Sequence, residues 1–446
     1  MRVPRFTPAH ERMQRIDLIY FDAGGGHRAS AIALKSAAEE QRRPWQIRLV
    51  NLREVLEPAD VIRRITGVRV EDFYNSLLKS GMTIGTGPML RIVQTLIRVL
   101  HARLTEHLTE YWQKSENDLV VSMIPNFNRA IFQGLRAADV KRNRSKTPMV
   151  TILTDLADHP PHFWIERRDQ YDQYIVCGTA TAGEQAISMG HPRERVFRTS
   201  GMIVRPEFYR PMELERETER LRLGLAPELP TGIVMFGSFG SRRMIDIAKR
   251  IAAAQLKTQL IFVCGHNEEL RRRLHEIKLP FASHCVGFTR EIPYFMRMAD
   301  YFIGKPGPGS ISEALVMGLP VIVERNAFTM VQERFNTEWI VQNQLGVVLH
   351  SFGSIASGVA KMLDPEQFRQ FRSGVKAVDN RAAFEVPEIL EEIMSRSRLE
   401  TAGASRRTQV AEVARPSFGE FGRQVARQTR AAFVRLLITG SPLIRW

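Results

Sequence analysis

Twice along this chain, short apolar runs alternate with helical stretches, and few folds accommodate that pattern. The first series comprises Ile16–Phe21, Trp45–Val50, Asp118–Ile124, Met149–Thr154 and Tyr174–Cys177, with helical stretches such as Arg129–Ala138 and Ala180–Met189 between them. The second comprises Gly232–Phe236, Gln259–Cys264, His284–Val286, Tyr301–Ile303 and Val321–Val323. Such runs, separated by helices, predict parallel strands joined by right-handed crossovers. The expectation is an α/β protein with two Rossmann-like domains facing a cleft. Residues 1–212 form the first, closed by a charged stretch from Arg210, and residues 213–400 the second. A ligand held between them follows from the placement of strand ends in open sheets.

Asp22-Ala-Gly-Gly-Gly-His27 lies between the first strand and a helix opening at Arg28. Gly25 and Gly26 let the backbone approach a ligand closely, and His27 sits at the mouth of the helix, where free N–H groups favour anions. The loop lacks the Gly-Lys-Ser/Thr of a Walker motif and the spacing of a dinucleotide fingerprint. A purely structural turn is the alternative. In the second series, Lys305-Pro-Gly-Pro-Gly-Ser-Ile-Ser-Glu313 follows a strand and opens a helix, with N–H donors near Gly309 and Ser310 for a diphosphate. Glu313 has two readings: the end of a capping box with Ser310, or an acceptor for paired ribose hydroxyls. Gly237 and Ser238 open another glycine-rich turn, Val286–Glu291 a third loop around Phe288, and Gln332, Glu333 and Asn336 a fourth. Asp155, Asp158, His159 and His162 follow the Met149–Thr154 strand; Pro160 and Pro161 forbid a zinc-binding helix there, so no metal is expected.

The 63 Lys and Arg against 48 Asp and Glu give a net charge of +15, which calls for an anionic partner. Aromatics at 8% show no RNA-binding pattern, so a nucleotide or an anionic membrane surface is preferred and nucleic acid is not expected. Cys177, Cys264 and Cys285 have neither metal-ligand spacing nor an even count, as expected of reduced thiols. Neither a signal peptide nor a transmembrane span is expected. Residues 60–114 form an apolar helical insertion with eight Lys/Arg and five Asp/Glu. It reads equally as a helical pair on the sheet or as a lipid-facing surface. The 401–446 tail carries eight Arg and two Glu; residues 401–416 are expected to be disordered, and Phe418–Leu437 reads as a basic amphipathic helix.

With these motifs in order, the chain resembles the monogalactosyldiacylglycerol synthase family and its bacterial diacylglycerol glycosyltransferase relatives. It is more distantly similar to the N-acetylglucosaminyltransferase that completes lipid II. The resemblance covers most of residues 15–390 and rests on Asp22–Ala31, Gly307–Leu315, Gly318–Ile322 and Gln332-Glu333-x-x-Asn336. It implies a GT-B architecture, with the donor nucleotide in the second domain and the lipid acceptor on the first. His27 would be the catalytic base, Glu313 would hold the ribose, and the Phe288 backbone would meet uracil. Gly237, Ser238, Gly309 and Ser310 would lie near the diphosphate, and Gln332 and Glu333 would contact the hexose. Asp155, His159 and Trp164 would line the acceptor side, with Tyr74–Trp112 as the acceptor and membrane region. Two departures stand out: Ile124-Pro125-Asn126 replaces a family histidine, and Thr329-Met-Val precedes Gln332 where relatives often show Pro-Gly.

The implied reaction is inverting transfer of a hexose from UDP-galactose or UDP-glucose to diacylglycerol, without a cofactor, at the cytoplasmic face of the cell membrane. Rivals are a transferase acting on a polyprenyl or other lipid, an epimerase of the non-hydrolysing UDP-N-acetylglucosamine type, and a non-catalytic lipid-surface binder.

Overall fold

The computed structural model describes residues 12–21, 26–56, 94–166 and 172–413, with side chains as far as residue 400. The first series of apolar runs builds β1 (Gln14–Tyr20), β2 (Trp45–Asn51), β3 (Leu119–Ser122), β4 (Met149–Ile152), β5 (Tyr174–Cys177) and β6 (Val196–Arg198). They pair in the order β2-β1-β3-β4-β5-β6, every pair parallel. The second series builds β7 (Thr231–Met235), β8 (Gln259–Val263), β9 (Ser283–Val286), β10 (Tyr301–Gly304), β11 (Val321–Glu324) and β12 (Gly346–Leu349). Their order is β12-β11-β10-β7-β8-β9, again parallel throughout. The α/β expectation with two Rossmann-like sheets is met. The short strands β6 and β12 were not among the runs picked out by hydrophobicity.

Helices cover both faces of each sheet, which is why the strands are apolar at consecutive positions instead of alternating. In β7, Ile233 and Met235 join one buried cluster while Val234 joins the other. In the first sheet, Leu18 and Val121 lie in one cluster, and Ile19 and Val120 in its counterpart.

Both sheets reverse their strand order once. In the first, the chain goes from β1 outward to β2 and then returns to β3 on the other side of β1. In the second, β7 to β9 run one way and β10 to β12 the other, so the reversal falls between β7 and β10. Helices departing in opposite directions leave a crevice at such a point, at the carboxyl ends of the strands. Gly304 permits the second crevice its tight base, since a Cβ there would stand 2.5 Å from the Met235 carbonyl oxygen.

The chain crosses between the sheets twice, and the crossings are bonded to each other. Asn380 Nδ2 donates to the Met202 carbonyl at 2.9 Å, the Arg381 N–H to Ser200 Oγ at 2.6 Å, and the Ser200 N–H to Glu385 Oε2 at 2.7 Å. The returning segment then completes the first core: Val386, Leu390, Ile393 and Met394 pack with Ile16, Leu34 and Trp45. The sequence division at 213–400 gave this segment to the second sheet; its apolar face belongs to the first.

Residues to Met394 form one compact unit, and those from Ser395 a second. The latter is described through Val413, where the helix Ala382–Val413 ends. Residues 401–413, expected to be disordered, are helical there, whereas the Phe418–Leu437 helix lies outside the described residues. So do residues 57–93, including most of the lipid-facing reading of the insertion. Within the described residues 94–114, the helix His101–Gln113 buries Leu108 and Trp112 in the first core, so Trp112 is a packing residue rather than a membrane contact.

Gly304→Ala is expected to lower stability by about 1–3 kcal/mol in urea unfolding, because the methyl group overpacks β7 against β10. Gly183→Ala, on a helix where a new Cβ meets only Val196 at 4.0 Å, should be neutral or stabilising. Equal responses at the two sites would contradict this packing account.

Candidate active site

His27 is the second residue of the helix Gly26–Glu40, directly above the first sheet's reversal point. Its Nδ1 lies 2.9 Å from Thr154 Oγ1, which follows β4. Its ring packs against Trp164 at 5.7 Å between centroids. Burial pushes the imidazole down to about 4, opposed by a hydrogen bond to the Met123 backbone. The ring is therefore neutral at neutral pH. Burial is the largest cause of that neutrality.

Trp164 is fully buried and held at three points. Its indole N–H donates to Asp155 Oδ2 at 2.8 Å, its backbone N–H to Asp158 Oδ1 at 2.6 Å, and its carbonyl accepts from Asn128 Nδ2 at 3.2 Å. It was expected to line the acceptor pocket, but its side chain is the floor behind His27. Asp158 also accepts the His162 N–H at 2.9 Å and so shapes the loop. His159 is half-buried on the same loop. Gly26 would carry a Cβ into open space, whereas Gly25 lies outside the described residues.

The second sheet presents its glycine-rich turns at its own reversal point. Gly237, after β7, has φ +75°, a left-handed conformation that favours glycine, and a Cβ there would meet nothing within 4 Å. Ser238 is exposed, while its carbonyl accepts from the His266 N–H at 2.8 Å and ties this turn to the one after β8. After β10, the helix Pro308–Val316 begins with Gly307 as N-cap and no side-chain cap, and a Cβ on Gly309 would also meet open space. The capping-box reading of Ser310 and Glu313 is thereby corrected, because both lie inside the helix, beyond its cap. The amides around Gly309 and Ser310 are oriented as an anion site at a helix N-terminus.

Glu313 is pushed up to about 7 by burial, partly offset by Arg205. The Arg205 guanidinium, on the crossing between the sheets, stands 4.0 Å from it. The sequence reading missed Arg205; its only signal was its place in that crossing. Phe288 is 55% exposed and stacks on His266 at 3.9 Å, so the loop after β9 offers a flat aromatic surface. Glu333 is buried, with the Lys305 ammonium at 3.6 Å. Gln332 is half-buried on the same turn. Asn336, expected to touch donor sugar, is fully buried and donates to the Pro306 carbonyl at 2.8 Å. It props the Pro306 loop from below.

The two edges face each other. Asp155, from the first sheet, is pushed up to about 7 by burial, with the Glu333 and Asp158 carboxylates adding to the shift against the Trp164 hydrogen bond. Among the described residues, no three His, Cys, Asp or Glu are grouped so as to hold a metal ion.

The match to known families falls on this second sheet. The glycosyltransferase family 28 C-terminal domain matches residues 232–349, which hold every donor-side loop above. Along the whole chain, monogalactosyldiacylglycerol synthase of Spinacia oleracea chloroplasts is 26% identical over 411 residues, covering 88% of this chain and 75% of that protein. Among solved structures, MurG of Acinetobacter baumannii superposes with a TM-score of 0.54 at 12% identity, over 85% of this chain and 99% of that one. A UDP-GlcNAc 2-epimerase from Neisseria meningitidis, bound to UDP-GlcNAc, reaches 0.51 at 13% identity, over 86% and 100%. The fold is thus like that of MurG, an architecture that this epimerase shares.

Glu313 supplies a pH test on the family 28 domain. Its folded pKa is raised, so the stability it contributes is full below its unfolded value, near 4.3, and is lost as pH rises through about 7. Glu313→Gln should therefore match the parent near pH 4 and exceed it by about 1–3 kcal/mol at pH 8 in chemical denaturation. A gain independent of pH would show that the carboxylate is not held in this environment.

Proposed function

We propose that this protein is an inverting hexosyltransferase that moves galactose or glucose from a UDP-sugar to the hydroxyl of diacylglycerol. The observation that carries the proposal is the opposition of two reversal points: a neutral, half-buried imidazole on one sheet and an open, glycine-lined helix N-terminus on the other. The similarity over 88% of this chain to a monogalactosyldiacylglycerol synthase supports the acceptor class.

In this scheme the UDP-sugar lies on the family 28 domain, with its base on the loop around Phe288 and its ribose hydroxyls donating to Glu313. Its diphosphate meets the amides at Gly309 and Ser310, with Ser238 alongside. Gln332 and Glu333 reach the hexose. With Thr154 Oγ1 holding the ring at Nδ1, the neutral imidazole of His27 takes the proton of the acceptor hydroxyl on its unprotonated nitrogen. The oxygen attacks the anomeric carbon from the face opposite UDP, a new C–O bond forms, and the bond to the diphosphate breaks with its electron pair leaving on UDP. Charge then builds on the phosphate oxygens, where oriented N–H dipoles stabilise it without a metal. The proton passes from His27 to solvent, which the low basicity of a buried imidazole favours.

The lipid acceptor places the enzyme peripherally on the cytoplasmic face of a cell membrane, and the net charge of +15 suits an anionic surface. No helix among the described residues is long and apolar enough to cross a membrane.

His27→Ala should leave UDP affinity in calorimetry near that of the parent and lower kcat by about 10²–10⁴-fold, the usual worth of a general base. The product is read by mass spectrometry of lipids after incubation with UDP-galactose or UDP-glucose and diacylglycerol vesicles. Retained turnover in the variant would remove His27 from its role. Release of an epimerised UDP-sugar without lipid product would favour the epimerase.

A further inference from the structure

We propose that Asp155 is a positioning residue for the transfer reaction: by accepting the Trp164 indole N–H it holds that ring against His27 and fixes the orientation of the imidazole. The inference rests on the transferase reading. Its evidence is a comparison within the molecule. Trp45 and Trp112 are also buried, and among the described residues the indole N–H of each has no hydrogen-bond partner, so this fold packs tryptophans without supplying one. At Trp164 it instead supplies a carboxylate that is itself buried, at 2.8 Å. Burying a carboxylate costs more than leaving an indole N–H unpaired. Packing alone does not account for Asp155.

The backbone of Trp164 is already fixed without it. Asp158 takes the N–H and Asn128 holds the carbonyl, so what Asp155 adds is control of the ring. The ring it controls touches His27. On the other side of the imidazole, Thr154 Oγ1 meets Nδ1. Thr154 and Asp155 are adjacent on one loop, so a single segment grips His27 directly through Thr154 and indirectly through Trp164. Glu333 of the family 28 domain and Asp158 are the other carboxylates facing Asp155.

The test uses the full chain in four forms: Asp155→Asn, which keeps an acceptor oxygen; Asp155→Ala and Trp164→Phe, which each break the contact; and the Asp155→Ala/Trp164→Phe pair. Asp155→Ala and Trp164→Phe should each lower kcat by about 10–100-fold, the scale of a misplaced catalytic group, with little change in KM for the UDP-sugar. The double variant should be no slower than the worse single one, since both remove the same contact. Asp155→Asn should recover most of the loss. Independently of turnover, the His27 ring resonance in NMR should titrate closer to the ordinary histidine range near 6.5 in Asp155→Ala. Losses that multiply in the double variant, or an Asp155→Asn no better than Trp164→Phe, overturn the proposal. So does a His27 titration unchanged by Asp155→Ala. If Asp155→Ala does not fold, Asp155→Asn and Trp164→Phe decide by the same two readouts. The NMR result stands apart from the transferase reading, whose own failure is normal turnover by His27→Ala.

Discussion

Everything at this site depends on the single reversal of strand order in each parallel sheet. A sheet wound in one direction closes its carboxyl edge with loops and helix ends, whereas a reversal parts two neighbouring connections and leaves a crevice between them. In the first sheet the crevice between β1 and β3 takes His27 on one side and the Met123 backbone on the other. In the second, the crevice between β7 and β10 takes the Gly237 turn and the Gly307–Ser310 helix start. The bonded crossings at Ser200–Met202 and Asn380–Arg381 then hold both crevices within one compact unit.

The site is assembled against electrostatic preference. His27, Asp155 and Glu313 are each displaced from their ordinary pKa, and in each the largest cause is burial. For all three the direction favours the neutral form, the mark of groups kept dry for chemistry or for a ligand that will complete their hydrogen bonds. Structural ion pairs elsewhere differ. Asp139 is more completely buried, yet it is met by Arg136 and Arg144 and by the backbone N–H and hydroxyl of Thr147. Its hydrogen bonding is complete within the protein, whereas among the described residues the Glu313 carboxylate meets Arg205 at 4.0 Å and no closer cation.

Much of this was legible in the chain. The strands appear as apolar runs because both faces of each sheet are covered, and the glycine-rich turns appear because the backbone must bend where a ligand comes close. What was not legible followed from packing. β6 and β12 are short, and β6 is only half-buried, so hydrophobicity marks them weakly. Asn336 and Trp164 sit in motifs that suggest ligand contact, but their side chains turn inward to brace the Pro306 loop and His27. Periodicity and spacing report which residues cluster, not which way a loop residue points.

The sequence by itself determined the α/β class, the number of sheets and the loops that carry chemistry, because burial on both faces and the need for close backbone approach leave their mark on residue type. Only the tertiary structure decided the strand order, the return of the Val386–Met394 segment to the first core and the pairing of Arg205 with Glu313. These join residues far apart in the chain, 108 positions in the case of Arg205 and Glu313, through shape and charge, and nothing local in the chain encodes such a meeting.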